Sequence, residues 1–287
     1  MSRRGYGSLA AGRFSRFMLV LGFLFLYLPI ISLIIFSFNY SRLVTVWDSA
    51  NSPSLRWYQE LLNNEALLGA AWLSVQVAAL TATLAVVLGT LAAFALLRAG
   101  PLRSRALLSA MIGAPLVMPE IITGLSLLLL FVTLEQWLGW PAGRGMLTII
   151  IAHATLAMAY VAVVVQSRLA SFDRSLEEAA LDLGATPTRV FWRITLPLMW
   201  PALLSGWLLA FTLSWDDVVI AQFVAGPNAS TLPMWVFSKL RLGVSPEINA
   251  LATLVILFVA LVLGCGTWLS RRQDGQAKRP RVDVRVR

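Results

Sequence analysis

Three carboxylates interrupt otherwise apolar segments: Glu120 in "PLVMPEIITGLS", and the pair Asp216 and Asp217 in "LSWDDVVIAQ". Ionisable side chains are costly inside a bilayer and usually face a partner or a water-filled cavity. The apolar segments contain no Lys or Arg, so we do not expect salt bridges to such residues. The acids are therefore candidates for lining the pathway of a cation. The alternative is that they are protonated, hydrogen-bonded structural residues.

Two aromatic residues are candidates for the same pathway. Trp215 immediately precedes the acid pair, and an indole ring can hold an ammonium group by a cation–π contact. Tyr160, in another apolar segment, is a second candidate of this kind, and ordinary packing is the alternative for both. Pro115 and Pro119 are expected to kink the helix just before Glu120, because proline removes an amide donor and clashes with a preceding carbonyl.

The composition indicates a polytopic membrane protein, and the six apolar segments described below exclude a soluble enzyme. The 287 residues are 58% hydrophobic and 13% charged, whereas a soluble domain carries roughly 25% charged residues. Cys265 is the single cysteine and His153 the single histidine, so neither a disulfide nor a Cys-based metal site is expected. We predict no metal site, and we expect His153 to be a hydrogen-bonded packing residue.

Apolar segments long enough to cross a bilayer, about 20 residues each, predict an all-α membrane protein with six transmembrane helices. They are residues 17–38, 67–97, 107–132, 145–167, 198–225 and 248–270. The first of them follows four arginines and is interpreted as a retained signal anchor.

The distribution of basic residues predicts the orientation of the chain. With cytoplasmic termini, 18 of the 23 Lys and Arg residues lie on the cytoplasmic side. The net charge of +9 is thereby explained by topology, and no nucleic-acid partner is expected. The predicted organisation is a cytoplasmic tail (1–16), a membrane domain in the lipid bilayer (17–270) and a basic cytoplasmic tail (271–287).

One cytoplasmic segment, residues 175–197, is polar and has the pattern of two short helices. Ser175 and Glu178 fit a capping box at the start of the first helix, and Gly184 suits the left-handed position that ends it. The apolar side chains fall on one face, which is expected to point inward with the carboxylates toward the cytosol: Leu176, Ala179, Ala180 and Leu183.

The second helix of this segment has its own start and stop signals. Thr186 is a candidate N-cap with Pro187 at the first helical position. We expect this helix to run to Leu196 and to stop or bend at Pro197. The segment could be an amphipathic connector on the membrane surface or a docking helix that enters a groove on a soluble partner.

The same segment resembles the EAA loop of ABC-importer permeases. Glu178-Ala179-Ala180, three residues, Gly184, nine residues and Ile194-x-Leu196-Pro197 reproduce that pattern before the penultimate span. The resemblance implies a type I ABC-importer permease fold and a coupling loop that docks on a separate ATPase. The coupling residues that it implies are Glu177, Glu178, Ala179, Ala180, Asp182, Gly184 and Pro197.

The chain lacks the G-x-x-x-x-G-K-[ST] pattern of a P-loop. We therefore predict a transport subunit that is not itself an enzyme and needs no cofactor, with ATP and Mg bound by the partner ATPase.

Longer stretches resemble polyamine permeases, most closely the second membrane subunit of putrescine importers. These include "DDVVIAQFVAGP" and "TLPMWVFSKLRLGVSPEINALATL", and the resemblance covers nearly the whole chain. It implies a bacterial inner-membrane complex with a second permease, two ATPase copies and a periplasmic polyamine-binding protein. The cargo would be putrescine or spermidine. The substrate-pathway candidates are Glu120, Tyr160, Trp215, Asp216 and Asp217.

Two alternatives remain open at this stage. One is an ABC permease for another small solute, such as Fe(III) or an amino acid. The other is an ion-coupled carrier that works alone and couples transport through its own acids.

Overall fold

The computed structural model describes residues 9–44, 46–98, 105–243 and 245–277, and within these ranges the chain is helical with no β-strand. Parts of the predicted tails, residues 1–8 and 278–287, lie outside the described residues. The helices are α1 (Leu9–Phe36), α2 (Arg56–Leu62), α3 (Glu65–Arg98), α4 (Arg105–Val117), α5 (Glu120–Leu138), α6 (Met146–Ala170), α7 (Ser175–Asp182), α8 (Pro187–Val190), α9 (Leu196–Asp216), α10 (Val219–Val224), α11 (Leu232–Leu242) and α12 (Pro246–Ala277). A π-helical turn, Phe191–Thr195, connects α8 to α9.

Five helical stretches of the described chain are long and apolar enough to cross a membrane. They are Phe14–Phe36, Glu65–Arg98, Glu120–Leu138, Met146–Ala170 and Pro187–Asp216. Two further apolar helices are shorter in their described parts, Arg105–Val117 and Pro246–Leu261. The all-helical membrane class is confirmed, whereas the number of six spans and the cytoplasmic termini stay predictions.

The third predicted span, 107–132, is wrong as one helix, because the chain breaks between Val117 and Glu120. Pro119 has an extended backbone (φ −59°, ψ 135°) and stands at the N-cap of α5. It cannot donate a backbone hydrogen bond, and it disfavours helical geometry at Met118. By contrast, α4 continues through Pro115, so only the second of the two prolines ends a helix.

The fifth predicted span, 198–225, also differs from the structure. Helix α9 ends at Asp216, Asp217 has an extended backbone (φ −67°, ψ 129°), and the short α10 follows.

At the N-terminal end of α9, the helix does not stop at Pro197. The π-helical turn leads into α9 with a bond from the Leu196 amide to the Phe191 carbonyl, which accommodates the missing proline donor.

The described residues form two compact units, and the larger one, Glu65–Ser238, contains α3 to α10. Its core is the packing of α3, α6 and α9 through small residues. A Cβ atom on Gly89 would lie 2.9 Å from the Cβ of Val161, and one on Gly206 would lie 3.3 Å from Val161 Cγ1. Val161 therefore fills the space that both glycines leave, and the two positions allow close packing of the helices.

The smaller unit comprises the chain up to Asn64 and the chain from Lys239 onward. Within it α2 packs on α12, and the buried Trp57 donates its Nε1–H to the carbonyl of Asn39 at 2.7 Å. The apolar side chains of α1 are exposed along its membrane-length stretch, as expected of a helix that faces lipid or another membrane subunit.

Candidate functional site

The two helix breaks meet at one cavity of the larger unit. Its volume is about 590 Å³, and both polar and apolar side chains line it. The lining residues are Pro115, Leu116, Met118, Pro119, Glu120, Leu156, Tyr160, Leu213, Asp216, Asp217, Val218 and Val219. Four of the five predicted pathway residues thus converge on one space, and no Lys or Arg is among its described lining residues. Such a site can hold a cation.

The local sequence explains how the acids come to line this cavity. Glu120 is the first residue of α5 because Pro119 ends the preceding helical geometry. Asp216 is the last residue of α9, and Asp217 occupies the extended position after it. Broken helices inside a membrane protein are tolerated where they line a cavity, since water or protein groups can satisfy the freed backbone.

The two aspartates differ in their surroundings. Asp216 is exposed to the cavity, whereas the side chain of Asp217 is only 8% exposed. Asp217 Oδ1 accepts a hydrogen bond from the Ala221 amide at 2.9 Å, so this carboxylate holds the first turn of α10. The sequence suggests an equivalent pair of acids, whereas the structure separates them into an accessible and a positioned carboxylate.

Behind Asp217 lies a buried polar cluster that the sequence did not predict. His153 Nε2 is 3.2 Å from Asp217 Oδ1, although it is not aligned for a hydrogen bond, and His153 Nδ1 pairs with Ser214 Oγ at 2.8 Å. His153 is 3% exposed. It is hydrogen-bonded, as expected. It also lies against Asp217, so one of the cavity acids has an imidazole as its neighbour.

Trp215 does not line the cavity. Its ring stacks on Phe211 (centroids 5.9 Å apart, planes at 14°), which in turn stacks on Trp207 at 5.3 Å. Trp207 Nε1 donates to Thr83 Oγ1 at 3.1 Å. In this structure Trp215 therefore packs against other aromatic rings, which was the alternative to a role in the pathway. Tyr160, by contrast, lines the cavity.

The second candidate site is the coupling segment, residues 175–197. Helix α7 begins at Ser175 itself with Arg174 at the N-cap, so the predicted capping box of Ser175 and Glu178 is not formed. Asp173 Oδ1 accepts the Ser175 amide at 3.0 Å instead. The pKa of Asp173 is lowered, chiefly because its carboxylate accepts this backbone hydrogen bond.

The turn between α7 and α8 follows the sequence prediction closely. Gly184 has φ +85°, the left-handed conformation that ends a helix at low cost only for glycine. Thr186 is the extended N-cap of α8, and Pro187 opens that helix, although the Thr186 side chain makes no capping hydrogen bond.

The expectation that α7 buries its apolar face is wrong for this chain. None of its residues is buried, and the flanking Leu183 is 89% exposed. Leu176 and Leu181 are also exposed. These leucines form an apolar surface beside the acidic Glu178 and Asp182, a composition that suits contact with another protein.

Glu177 is the exception among the acids of α7, because it faces inward. Its Oε1 accepts from Thr195 Oγ1 at 2.6 Å and from Arg98 Nη2 at 3.2 Å, and its Oε2 accepts from Arg98 Nη1. Burial raises the pKa of Glu177, but hydrogen bonds from Thr195 and Arg98 and the positive charges of Arg98 and Arg174 outweigh it, so the net pKa is lowered.

Comparison with known families identifies the class of protein. Residues 85–279 match the profile of the binding-protein-dependent transport system inner membrane component. The chain belongs to this family, and it is therefore a multi-pass inner-membrane transport subunit rather than an ATPase.

Among individual relatives, the chain is 58% identical to the putrescine transport system permease protein PotI of Escherichia coli strain K12, over 90% of this chain and 91% of the relative. It is 41% identical to the spermidine/putrescine transport system permease protein PotC of the same strain, over 86% and 90% of the two chains. The predicted resemblance to polyamine permeases is confirmed.

Solved structures give the same fold at low identity. A chain of a bacterial ABC transporter that imports the acidic polysaccharide alginate superposes with a TM-score of 0.69 and 18% identity, covering 93% of this chain and 99% of that chain. The MetNI methionine ABC transporter superposes with a TM-score of 0.54 and 20% identity, over 72% and 95% of the two chains. Chains of two different ABC transporters thus share this fold.

Proposed function

We propose that this chain is the membrane-spanning permease subunit of an ATP-driven importer for polyamines, with putrescine as the main cargo and spermidine as a second substrate. The observation that carries the proposal is the convergence of Glu120, Asp216 and Asp217 on one cavity. A linear diamine is a dication at neutral pH, and it requires opposite charge along its path through a low-dielectric region. The similarity to putrescine and spermidine/putrescine permeases supports the same cargo.

The rest of the pathway belongs to partners. A second permease subunit completes the membrane domain, and two copies of an ATPase bind from the cytoplasm. A periplasmic polyamine-binding protein delivers the cargo to the loops on the opposite side. The exposed leucines and acids of α7 are the contact for the ATPase, by docking in a groove of that subunit.

Transport follows from two states of this assembly. ATP binding closes the ATPase pair, and the 175–197 segment passes this closure to the membrane helices. The cavity then opens toward the loaded binding protein, the dication enters between the acids, and ATP hydrolysis returns the complex to the inward-facing state. Such a cycle needs an element that responds to both states, and the coupling segment is that element.

The test is uptake of labelled putrescine by proteoliposomes that contain the whole complex. Asp216→Asn should lower uptake strongly, because Asp216 is the accessible acid of the cavity. Glu65→Gln is the matched control, since it makes the same acid-to-amide change at an exposed position outside the cavity. Unlabelled spermidine should compete, whereas a neutral amino acid and Fe(III) should not.

Three outcomes would count against the proposal. Failure of the wild-type complex to take up putrescine would remove the polyamine cargo and leave an importer of another solute. Uptake that survives Asp216→Asn would remove the acid-lined pathway. Uptake that continues with an ATPase subunit disabled in its P-loop would favour an ion-coupled carrier that works alone.

A further inference from the structure

The inward-facing Glu177 is the feature that the docking role of α7 does not explain. Its side chain is 12% exposed and that of Arg98 is 22% exposed, while Thr195 is 2% exposed. A carboxylate that already holds a guanidinium and a hydroxyl has little capacity left for a partner protein. Glu177 is thus unsuited to the ATPase contact that the sequence resemblance implies for it.

The three residues belong to three different elements. Glu177 lies on α7, Arg98 is the last residue of α3, and Thr195 is the last residue of the π-helical turn before α9. One carboxylate therefore joins the coupling helix to the ends of two long core helices. Among the described residues, Glu177 makes the only side-chain hydrogen bonds between α7 and these helices.

The remaining attachment of α7 is weak. No residue of the helix is buried, and it is connected to α8 through a glycine turn. A helix without buried contacts can move without carrying its neighbours. By contrast, a bidentate carboxylate–guanidinium pair fixes both distance and orientation, particularly when it is screened from water.

We infer that the Glu177–Arg98–Thr195 cluster is the mechanical link that carries the motion of the coupling helix into α3 and α9. Glu177 is then a positioning residue that acts on the transport helices, whereas Glu178, Asp182 and the exposed leucines contact the ATPase. The inference rests on the proposed function, since it assigns the inward side of the same coupling segment. It also gives the π-helical turn a role, because that turn brings Thr195 to the carboxylate.

The decisive measurement is the number of putrescine molecules transported per ATP hydrolysed by the reconstituted complex. In Glu177→Gln, the ATPase should still assemble and hydrolyse ATP, but the transport ratio should fall by about tenfold. Asp173→Asn is the matched control. It makes an acid-to-amide change in the same loop, but the hydrogen bond that Asp173 accepts comes from the Ser175 amide of α7 itself, so the ratio should be unchanged.

Two further variants test the same inference if Glu177→Gln reduces assembly of the complex with its ATPase. Thr195→Val removes only the hydroxyl at nearly constant volume and should lower the ratio by a smaller factor. The charge exchange Arg98→Glu/Glu177→Arg should restore part of the ratio, because it re-forms the ion pair with the charges reversed. If uptake and ATP hydrolysis fall in the same proportion in Thr195→Val and in the charge exchange, the cluster is a folding contact and the inference is wrong.

The outcomes also separate this inference from the proposed function. If the wild-type complex does not transport putrescine but its ATPase is still stimulated by a binding protein, the cargo assignment fails. The link is then judged from that stimulation, which Glu177→Gln should lower and Asp173→Asn should not. If no binding protein stimulates the wild-type ATPase, the importer assignment and the link fail together.

Discussion

Asp216 and Asp217 are neighbours in the chain, but their side chains have different surroundings. Asp216 lies at the cavity surface, while Asp217 is held by the Ala221 amide and lies against the buried His153. Exchange of carboxylate for amide should therefore have different consequences at the two positions.

We predict that Asp216→Asn lowers putrescine uptake with little change in stability. Asp217→Asn should lower uptake and also destabilise the protein by about 1–3 kcal/mol, because a charge-assisted contact at a buried site is lost. Uptake and the melting temperature of the purified subunit check both effects. Equal melting temperatures for the two variants would contradict the distinction.

Glu177 makes stability depend on pH in a direction that can be worked out. Its pKa is lowered in the folded state, so it contributes stability at pH values above the ordinary carboxyl pKa of about 4.3. This contribution is lost as the pH falls through the lowered folded-state pKa.

The wild-type protein should therefore lose part of its stability advantage over Glu177→Gln when the pH is lowered from 7 into the acid range. Melting temperatures of the two proteins across that range measure the difference. In Thr195→Val the pH dependence should be smaller, because one of the bonds that lowers the pKa is absent. A difference between wild type and Glu177→Gln that grows on acidification would contradict the assignment.

At the scale of elements, small residues decide how α3 packs. Gly89→Ala should destabilise the protein by about 1–3 kcal/mol, because a new Cβ would lie 2.8 Å from the Met158 carbonyl oxygen and 2.9 Å from Val161 Cβ. Gly69→Ala is the control on the same helix. It has open space around the new Cβ and should be neutral or stabilising by up to about 1 kcal/mol.

Thermal unfolding of the two glycine variants in the same detergent is the measurement. If both have the melting temperature of the wild type, α3 and α6 do not pack closely at Gly89.

The sequence predicts elements well where one physical effect dominates. The predicted span 67–97 corresponds to α3, since a long apolar run in a membrane protein has few alternatives to a helix. The predicted span 198–225 is wrong at its end because the residues after Asp217 are as apolar as those before Asp216. Hydropathy therefore contains no signal for the break, although the adjacent acids could have suggested it.

Contacts between residues far apart in the chain could not be predicted from the sequence. Arg98 pairs with Glu177 across 79 positions of the chain. His153 and Ser214 are 61 positions apart. Spacing rules apply within one helix, so they cannot indicate such pairs. The capping box at Ser175 failed for a different reason, since Asp173 competes for the same helix end.

At the scale of the whole molecule, the exposed leucines of the coupling segment form an apolar surface that a partner protein would cover. Leu183→Asp should weaken binding of the ATPase by about tenfold, because a charge would replace an exposed apolar side chain of the proposed docking surface. Leu55→Asp is the matched control, at another exposed leucine outside the segment, and should leave binding unchanged.

Co-purification of the ATPase with each variant, at equal expression, measures this effect. The same recovery of ATPase with Leu183→Asp as with the wild type would show that another surface binds the motor.

Gly89 packs tightly on Val161, so α3 and α6 are held close together at this position. From this contact the helix extends nine residues to Arg98, about 14 Å, and 24 residues to Glu65, about 36 Å. A tilt of α3 about the contact would turn a displacement of about 1 Å at Arg98 into one of about 2.7 Å at Glu65, in the opposite direction. Such a tilt would make the helix a lever with unequal arms, so that a small displacement at Arg98 would be enlarged at its far end.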